Sequence, residues 1–235
     1  MNSLVIGLGE IGKAVQAVTR SEFTLDISGK DNRPKDEQID IMHICFPWSK
    51  GFTVEVWSYI ETYKPEHIIV WSTVPVGTCR DLGEKVVHSP VEGMHPDLEW
   101  SIRHARRWVG FNNGDEGRFF VKYFMGLGLQ VWFVSDTETT ELAKLRSTAK
   151  FGINIVWAQY EDELCKKFGV SYEQLMCFDR DYNELYKKLD PNMQRYILYP
   201  PNGKIGGHCV VPNAEILQTQ FPNDLVEKVI AMRSK

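Results

Sequence analysis

Hydrophobic positions in the first half of the chain come in short runs, each followed by a stretch with a different period. Ser3–Gly7, with Leu4-Val5-Ile6 at its centre, reads as a short buried strand. Glycines follow, then a helix from Glu10 to Arg20. Residues 22–27 alternate and read as a second strand ending near Asp26, and the polar stretch 28–38, with Gly29 and Pro34, reads as a loop. Ile39 to Phe46 is a third strand, stopped by Pro47, and residues 52–63 have helical apolar spacing. His67–Ser72, Val86–His88, 107–111 and 129–134 complete the strands, with a turn-to-helix step at Val76-Gly77-Thr78 and a helix between the last two. Strands alternating with helices predict an α/β fold: a Rossmann-type, doubly wound, mostly parallel sheet.

The period changes at Asp136. From there to Phe168 the apolar positions Leu142, Leu145, Ala149, Ile153, Val156 and Tyr160 keep helical spacing. A helix of that length exceeds the ordinary globular range and serves as the spine of a helical domain or as a dimer interface. The remainder is helical and loop-rich, with Pro191, Pro200, Pro201, Pro212 and Pro222. The expected division is a dinucleotide-binding domain at 1–135 and a smaller helical substrate and dimerisation domain at 136–235.

Composition narrows the function classes. The 235 residues are 43% hydrophobic and 25% charged, with a net charge of -4. A nucleic-acid binder carries a basic surplus, and the sequence pI of about 5.9 argues against one. The cluster Arg103-His104-Ala105-Arg106-Arg107 is too short to form such a footprint. Seven tryptophans are scattered and form no stacking stripe. Five cysteines, an odd number with no CxxC spacing, predict neither a disulfide framework nor a metal site. With no signal-peptide pattern and no membrane-length apolar run, the expected setting is cytoplasmic, without a membrane.

The sharpest local signal is Gly7-Leu8-Gly9-Glu10-Ile11-Gly12, which directly follows a strand and opens a helix. Gly7 permits the tight turn, Gly9 lets the backbone approach a pyrophosphate, and Gly12 lets helix and strand pack closely. The helix N-terminus offers free N–H groups to phosphates. Asp26, about twenty residues on, suits a ribose 2′-hydroxyl and repels a 2′-phosphate, which favours NAD over NADP. The same glycines also suit a ligand-free βα turn with Asp26 capping a loop.

Three further segments carry a family resemblance. Trp71-Ser72-Thr73-Val74-Pro75-Val76-Gly77-Thr78 resembles the Ser-Thr-Val-Pro-x-Gly-Thr segment of the UDP-glucose/GDP-mannose dehydrogenase family. Glu141-Leu-Ala-Lys144-Leu-Arg-Ser-Thr148 resembles its Glu-x-x-Lys-x-x-x-Asn, and Gly206-Gly207-His208-Cys209 its Gly-Gly-His-Cys loop. The resemblance implies oxidation of a primary alcohol of a nucleotide sugar with NAD. Cys209 would attack the aldehyde to give a thiohemiacetal, with Lys144 stabilising the oxyanion. Phe46, Pro47, Ser72 and Thr73 would line the nicotinamide end, and the long helix would build a homodimer. The departures are Thr148 in place of the Asn, Asn213 near the place of a catalytic carboxylate, and an end at Lys235 where that family's third domain begins. A form lacking the nucleotide-holding domain fits a single oxidation or a smaller substrate.

Other candidates lie nearby. His88-Ser89-Pro90-Val91-Glu92-Gly93-Met94-His95-Pro96 follows a strand at the sheet edge where ligands bind, so Glu92 can move a proton and His95 can contact substrate. The Gly-Met-His-Pro part also resembles prephenate dehydrogenases. Lys204, Gly207, His208 and Asn213 are candidate substrate contacts, and Thr148 stands with Cys209, Lys144 and Glu92 as a candidate catalytic residue. Glu141, Lys144 and Thr148 share one helix face, where Glu141 and Lys144 can equally form a surface ion pair. Two alternatives remain open: a prephenate- or β-hydroxyacid-type dehydrogenase with Lys144 as acid/base, and a non-catalytic dinucleotide-binding module.

Overall fold

The computed structural model describes residues 1–29, 32–201, 203–206 and 209–233. It divides into two compact units, Met1–Lys144 and Leu145–Lys235.

The first unit is built on a seven-stranded sheet in the order β2-β1-β3-β4-β5-β6-β7. Its strands are β1 (Ser3–Ile6), β2 (Phe23–Leu25), β3 (Ile41–Ile44), β4 (His67–Val70), β5 (Val86–His88), β6 (Arg107–Gly110) and β7 (Val131–Val134). Between them run α1 (Glu10–Thr19), α2 (Phe52–Tyr63), α3 (Thr78–Leu82), α4 (Leu98–His104) and α5 (Gly114–Gly126). The chain passes from β1 outward to β2, then returns to place β3 on the other side of β1. That reversal opens a crevice beyond the carboxyl ends of β1 and β3, where open α/β sheets bind ligands.

Side-chain period two sorts the strand residues onto two faces. Val5, Ile41, Ile69 and Val87 pack with Val15 and Val18 of α1, Leu98 and Ile102 of α4, and Phe120 and Phe124 of α5. Leu4, Ile6, Met42, Ile44, Ile68 and Val70 pack on the opposite face with Phe52 and Val56 of α2 and with Cys79 and Leu82 of α3. Strands β1 to β5 are parallel. The sheet is mostly parallel, as the sequence predicts, with one antiparallel pair: β6 runs against β5, with His88 opposite Gly110. The chain does not recross the sheet after β5, so Arg107, at the start of β6, lies beyond the carboxyl end of β5.

The last strand leads into α6 (Thr137–Phe168), a 32-residue helix. Its first turns belong to the first unit, because Thr140 and Glu141 are buried on the carboxyl edge of the sheet. The two compact units divide inside this helix, after Lys144. The expected apolar stripe is also only partly buried: Leu145 and Ala149 are covered, while Leu142 and Tyr160 are about half exposed. One stripe cannot face a single core along a helix shared by two units.

The second unit joins the rest of α6 to α7 (Tyr172–Leu189), α8 (Val210–Gln220) and α9 (Asp224–Ala231). Its core gathers Ile155, Val210, Val211, Ala214, Val226 and Val229. Gly152 makes this packing possible, since a Cβ there would lie 2.5 Å from a Val229 methyl. Among the described residues no helix is long and apolar enough to cross a membrane.

Candidate functional site

The glycine loop lies at the crevice between β1 and β3. Gly7 has φ +92°, and a Cβ on it would stand 2.8 Å from the Phe46 backbone nitrogen. A Cβ on Gly12 would lie 1.7 Å from the Gly7 carbonyl oxygen, so the start of α1 rests directly on the turn. Gly9 differs: a Cβ there would meet nothing within 4 Å. Gly9 is the N-cap of α1 and no side chain caps that end. The open edge and uncapped amides are what a diphosphate needs.

Asp26, just past β2, leans onto this loop. Its Oδ2 accepts from the Leu8 amide at 2.7 Å and its Oδ1 from the Ser28 amide at 2.9 Å. Hydrogen bonds from Ser28 and from the Leu8 amide pull its carboxyl down to about 2, so it is ionised at neutral pH. Beside it opens a cleft of about 230 Å³ between the segment after β2 and α2, walled by Asp26, Ile27, Arg33, Tyr59 and Tyr63. Nothing in the sequence pattern flags Arg33 or Tyr59, because only the fold brings them beside Asp26. Open edge, uncapped helix, ionised carboxylate and adjoining cleft together fit the adenosine diphosphate half of a dinucleotide.

The other side of the crevice is held by Ser72 and its neighbours. Ser72 is buried and its hydroxyl donates to the Phe46 carbonyl at 2.6 Å, so two expected cofactor residues are brought together. Thr73 is partly exposed and Pro47 exposed beside them in sequence. His88, at the end of β5, is wholly buried and lies 3.1 Å from the Ser72 carbonyl through Nε2 and 2.8 Å from the Thr140 hydroxyl through Nδ1. Burial pushes its imidazole down to about 4, so it is neutral: Nε2–H donates to Ser72 and Nδ1 accepts from Thr140.

Glu141 is not the surface ion-pair partner of Lys144 that the helix spacing allows. Its carboxylate is fully buried and accepts from the Gly77 amide at 2.6 Å and the Cys79 amide at 2.8 Å. Burial pushes its carboxyl up to about 7, against the pull of those two N–H donors. Lys144 is half-buried and its Nζ donates to the Val91 carbonyl at 2.7 Å. The buried places of Glu141 and His88 are not legible in the sequence, since a buried carboxylate and a buried imidazole look there like any surface residues.

The loop after β5 takes part from several directions. Glu92 is exposed, next to the Val91 carbonyl that Lys144 holds. Arg107 is buried, and its Nη1 lies 3.5 Å from the Pro90 carbonyl. His95 Nδ1 lies 2.5 Å from the Glu10 carboxylate, which ties this loop to the first residue of α1. Ile11 is partly buried behind Glu10.

In the second unit, Cys209 is the N-cap residue of α8 and is partly exposed as a free thiol. Asn213, one turn on, is buried, and Lys204 is exposed. The Thr148 hydroxyl donates back to the Leu145 carbonyl at 3.0 Å. Gly207 and His208 lie outside the described residues. Among the described residues no cluster of His, Cys, Asp or Glu could hold a metal ion.

No family model and no curated protein matches the sequence. Solved structures do match in fold. A UDP-D-ManNAc dehydrogenase from Pyrococcus horikoshii superposes with a TM-score of 0.79 at 17% identity, over 99% of this chain and 68% of that one. A UDP-glucose dehydrogenase from Pyrobaculum islandicum gives 0.71 at 17% identity, over 99% of this chain and 68% of that one. A 3-hydroxyisobutyrate dehydrogenase from Mycobacterium tuberculosis gives 0.69 at 12% identity, over 98% of this chain and 92% of that one. The chain thus spans about two thirds of the length of the nucleotide-sugar enzymes and nearly all of the hydroxyacid enzyme. Over 99% of its length, the chain has the fold of about two thirds of the length of the UDP-sugar dehydrogenases.

Proposed function

We propose that the protein is an NAD-dependent oxidoreductase acting on an alcohol of a sugar-like or nucleotide-sugar-like substrate. The observation that carries the reading is the open Gly9 edge beneath an uncapped α1, with ionised Asp26 beside it. Asp26 would accept hydrogen bonds from the adenosine ribose, and its charge disfavours a 2′-phosphate. The backbone from Leu8 to Ile11 would hold the pyrophosphate, and Phe46, Pro47, Ser72 and Thr73 would border the nicotinamide. The bound dinucleotide supplies a hydride acceptor.

The protein's own groups would do the rest. Lys144 presents a cation where negative charge develops on the substrate oxygen, or takes the alcohol proton. Glu92 is the candidate proton carrier and His95 a candidate substrate contact. Cys209 would be the nucleophile toward an aldehyde product, forming a thiohemiacetal by addition of sulfur to carbon with the proton going to oxygen. Its place at the start of α8 supports this, because free amides there can receive the oxyanion. Thr148, Lys204, Gly207, His208 and Asn213 remain proposed contacts of the same substrate. A homodimer through α6 is proposed from its exposed Phe151, Trp157 and Tyr160. The buried free thiols Cys45, Cys79 and Cys165 suit a reducing, cytoplasmic setting.

A second reading has its own support: the likeness to 3-hydroxyisobutyrate dehydrogenase spans 92% of that enzyme. In a β-hydroxyacid dehydrogenase of this kind Lys144 would be the acid/base and Cys209 incidental. NADH formation measured at 340 nm with sugars, nucleotide sugars and hydroxyacids tests the class. Cys209→Ser then separates the readings: it should abolish oxidation beyond the aldehyde in the first and leave turnover within about threefold in the second. Dinucleotide binding with no turnover on any substrate would leave a non-catalytic module, and no dinucleotide binding at all would refute the proposal.

A further inference from the structure

The first turns of α6 grip the loops at the carboxyl edge of the sheet with residues that follow one another in sequence. Thr140 holds His88, which holds the Ser72 carbonyl. Glu141 receives the Gly77 and Cys79 amides. The segment Ser72–Thr78 is therefore pinned at both ends by adjacent residues of one helix. Lys144, on the next turn, reaches the Val91 carbonyl.

We infer that Glu141 is a positioning residue that fixes the Ser72–Thr78 turn for the nicotinamide half of the dinucleotide. The inference rests on the dinucleotide reading above. Its ground is chemical. Each carboxylate oxygen takes one backbone N–H, so the ionised group satisfies both amides at once. Burying a carboxylate costs free energy, and an apolar or amide side chain would fill the same space without that cost. A glutamine can offer only one acceptor oxygen, and its NH₂ would face the other N–H. The charge is kept where it sets the course of the backbone between Ser72 and α3. Gly77 has φ +95° and lies at that bend, where the Thr78 hydroxyl also donates to the Pro75 carbonyl at 2.7 Å, so Glu141 anchors a turn that is already folded on itself.

The geometry separates the two halves of the ligand. Asp26, Gly9 and the adjoining cleft lie around β1, β2, α1 and α2, while the backbone partners of Glu141 are Gly77 and Cys79, at the start of α3. Loss of the clasp should loosen the nicotinamide side and leave the adenosine side alone. The groups facing Glu141 are the Cys79 thiol, held protonated by burial, and Glu138, which is paired with Arg80. Neutral His88 stands behind Thr140 and does not titrate near neutrality.

The test compares NADH with ADP-ribose, which lacks the nicotinamide, by titration against wild type, Glu141→Gln and Cys79→Ala. Wild type should prefer NADH. Glu141→Gln should lose about tenfold in NADH affinity and less than about twofold for ADP-ribose. Cys79→Ala removes the thiol that hydrogen-bonds the Glu141 carboxylate but keeps both backbone amides, so its loss of preference for NADH should be smaller than that of Glu141→Gln. Equal losses for both ligands in Glu141→Gln, or an unchanged preference, would overturn the inference while wild-type binding upholds the dinucleotide reading. Wild type binding neither ligand would overturn both. Should Glu141→Gln not fold, the wild-type preference for NADH as a function of pH decides. It should shrink as pH falls below about 7, where Glu141 takes up its proton, and a flat profile overturns the inference.

Discussion

Gly9→Ala and Gly12→Ala divide the two tasks of the glycine loop. At Gly12 the added methyl would stand 1.7 Å from the Gly7 carbonyl oxygen and 2.8 Å from its carbon, both backbone atoms that cannot swing aside. The helix must move off the turn, a strain of roughly 1–3 kcal/mol or more in a packed core. At Gly9 the backbone is extended at φ -65°, ψ -169°, which alanine adopts freely, and the methyl meets nothing within 4 Å. Reduced freedom of the unfolded chain offers roughly 0.4–1 kcal/mol, offset by the weaker N-cap, so stability should change by less than about 1 kcal/mol. Binding should behave in the opposite way. A methyl on the open edge holds a diphosphate off the α1 amides, and losing one charge-assisted hydrogen bond costs about 1.5–3 kcal/mol, or roughly 10- to 150-fold in affinity. Urea unfolding and NADH fluorescence titration read the two quantities. A Gly9→Ala protein that binds NADH as tightly as wild type would refute the reasoning, because the open edge would then face no ligand.

Two further predictions concern buried charge. Burial holds His43 down to about 3 and His88 to about 4, so both stay neutral in the fold while an unfolded histidine protonates below about 6.5. Their stabilisation is complete above that pH and is lost as pH falls, at about 1.4 kcal/mol per histidine per pH unit. Glu141, raised to about 7 by burial, works the other way, because in the fold it holds a proton that an unfolded carboxylate loses above about 4.5, and it offsets about one histidine. Urea midpoints between pH 6.5 and 5 should therefore fall with roughly one histidine's slope, and His88→Gln, which can still donate to Ser72 and accept from Thr140, should remove most of it; an unchanged slope would contradict the assignment. Arg107 is 1% exposed with its Nε unpartnered among the described residues. Arg107→Met, similar in volume, should therefore leave stability within about 1 kcal/mol or raise it, and a loss above about 2 kcal/mol in thermal unfolding would show that the guanidinium is firmly held.

Much of the first unit was legible because its signals are local. A strand buried on both faces reads as a continuous apolar run, and the glycines obey steric rules that act within a few residues. Gly12 is required by a contact with Gly7 inside one βα turn, and Gly7 by the positive φ of that turn, so their spacing announces it, whereas the close approach of Phe46 to Gly7 comes only with the fold. Asp26 was legible because the path from β1 through α1 to β2 has a nearly fixed length. The motif segments at Ser72, Lys144 and Cys209 were found as sequence resemblance; the first follows β4, the second lies within α6 and Cys209 caps α8.

What the sequence by itself determined, then, is the order of the elements, the dinucleotide-type turn and the segments worth watching. The direction of β6, the division of α6 between two units and the roles of His88, Thr140 and Glu141 were decided only by the tertiary structure. The reason is physical. Burial and hydrogen bonding between residues dozens of positions apart convert ordinary side chains into a neutral imidazole and a buried carboxylate. A helix-face pattern cannot say whether Glu141 meets Lys144 across a solvated surface or two amides beneath the sheet edge. Only the fold brings Gly77 and Cys79 to it.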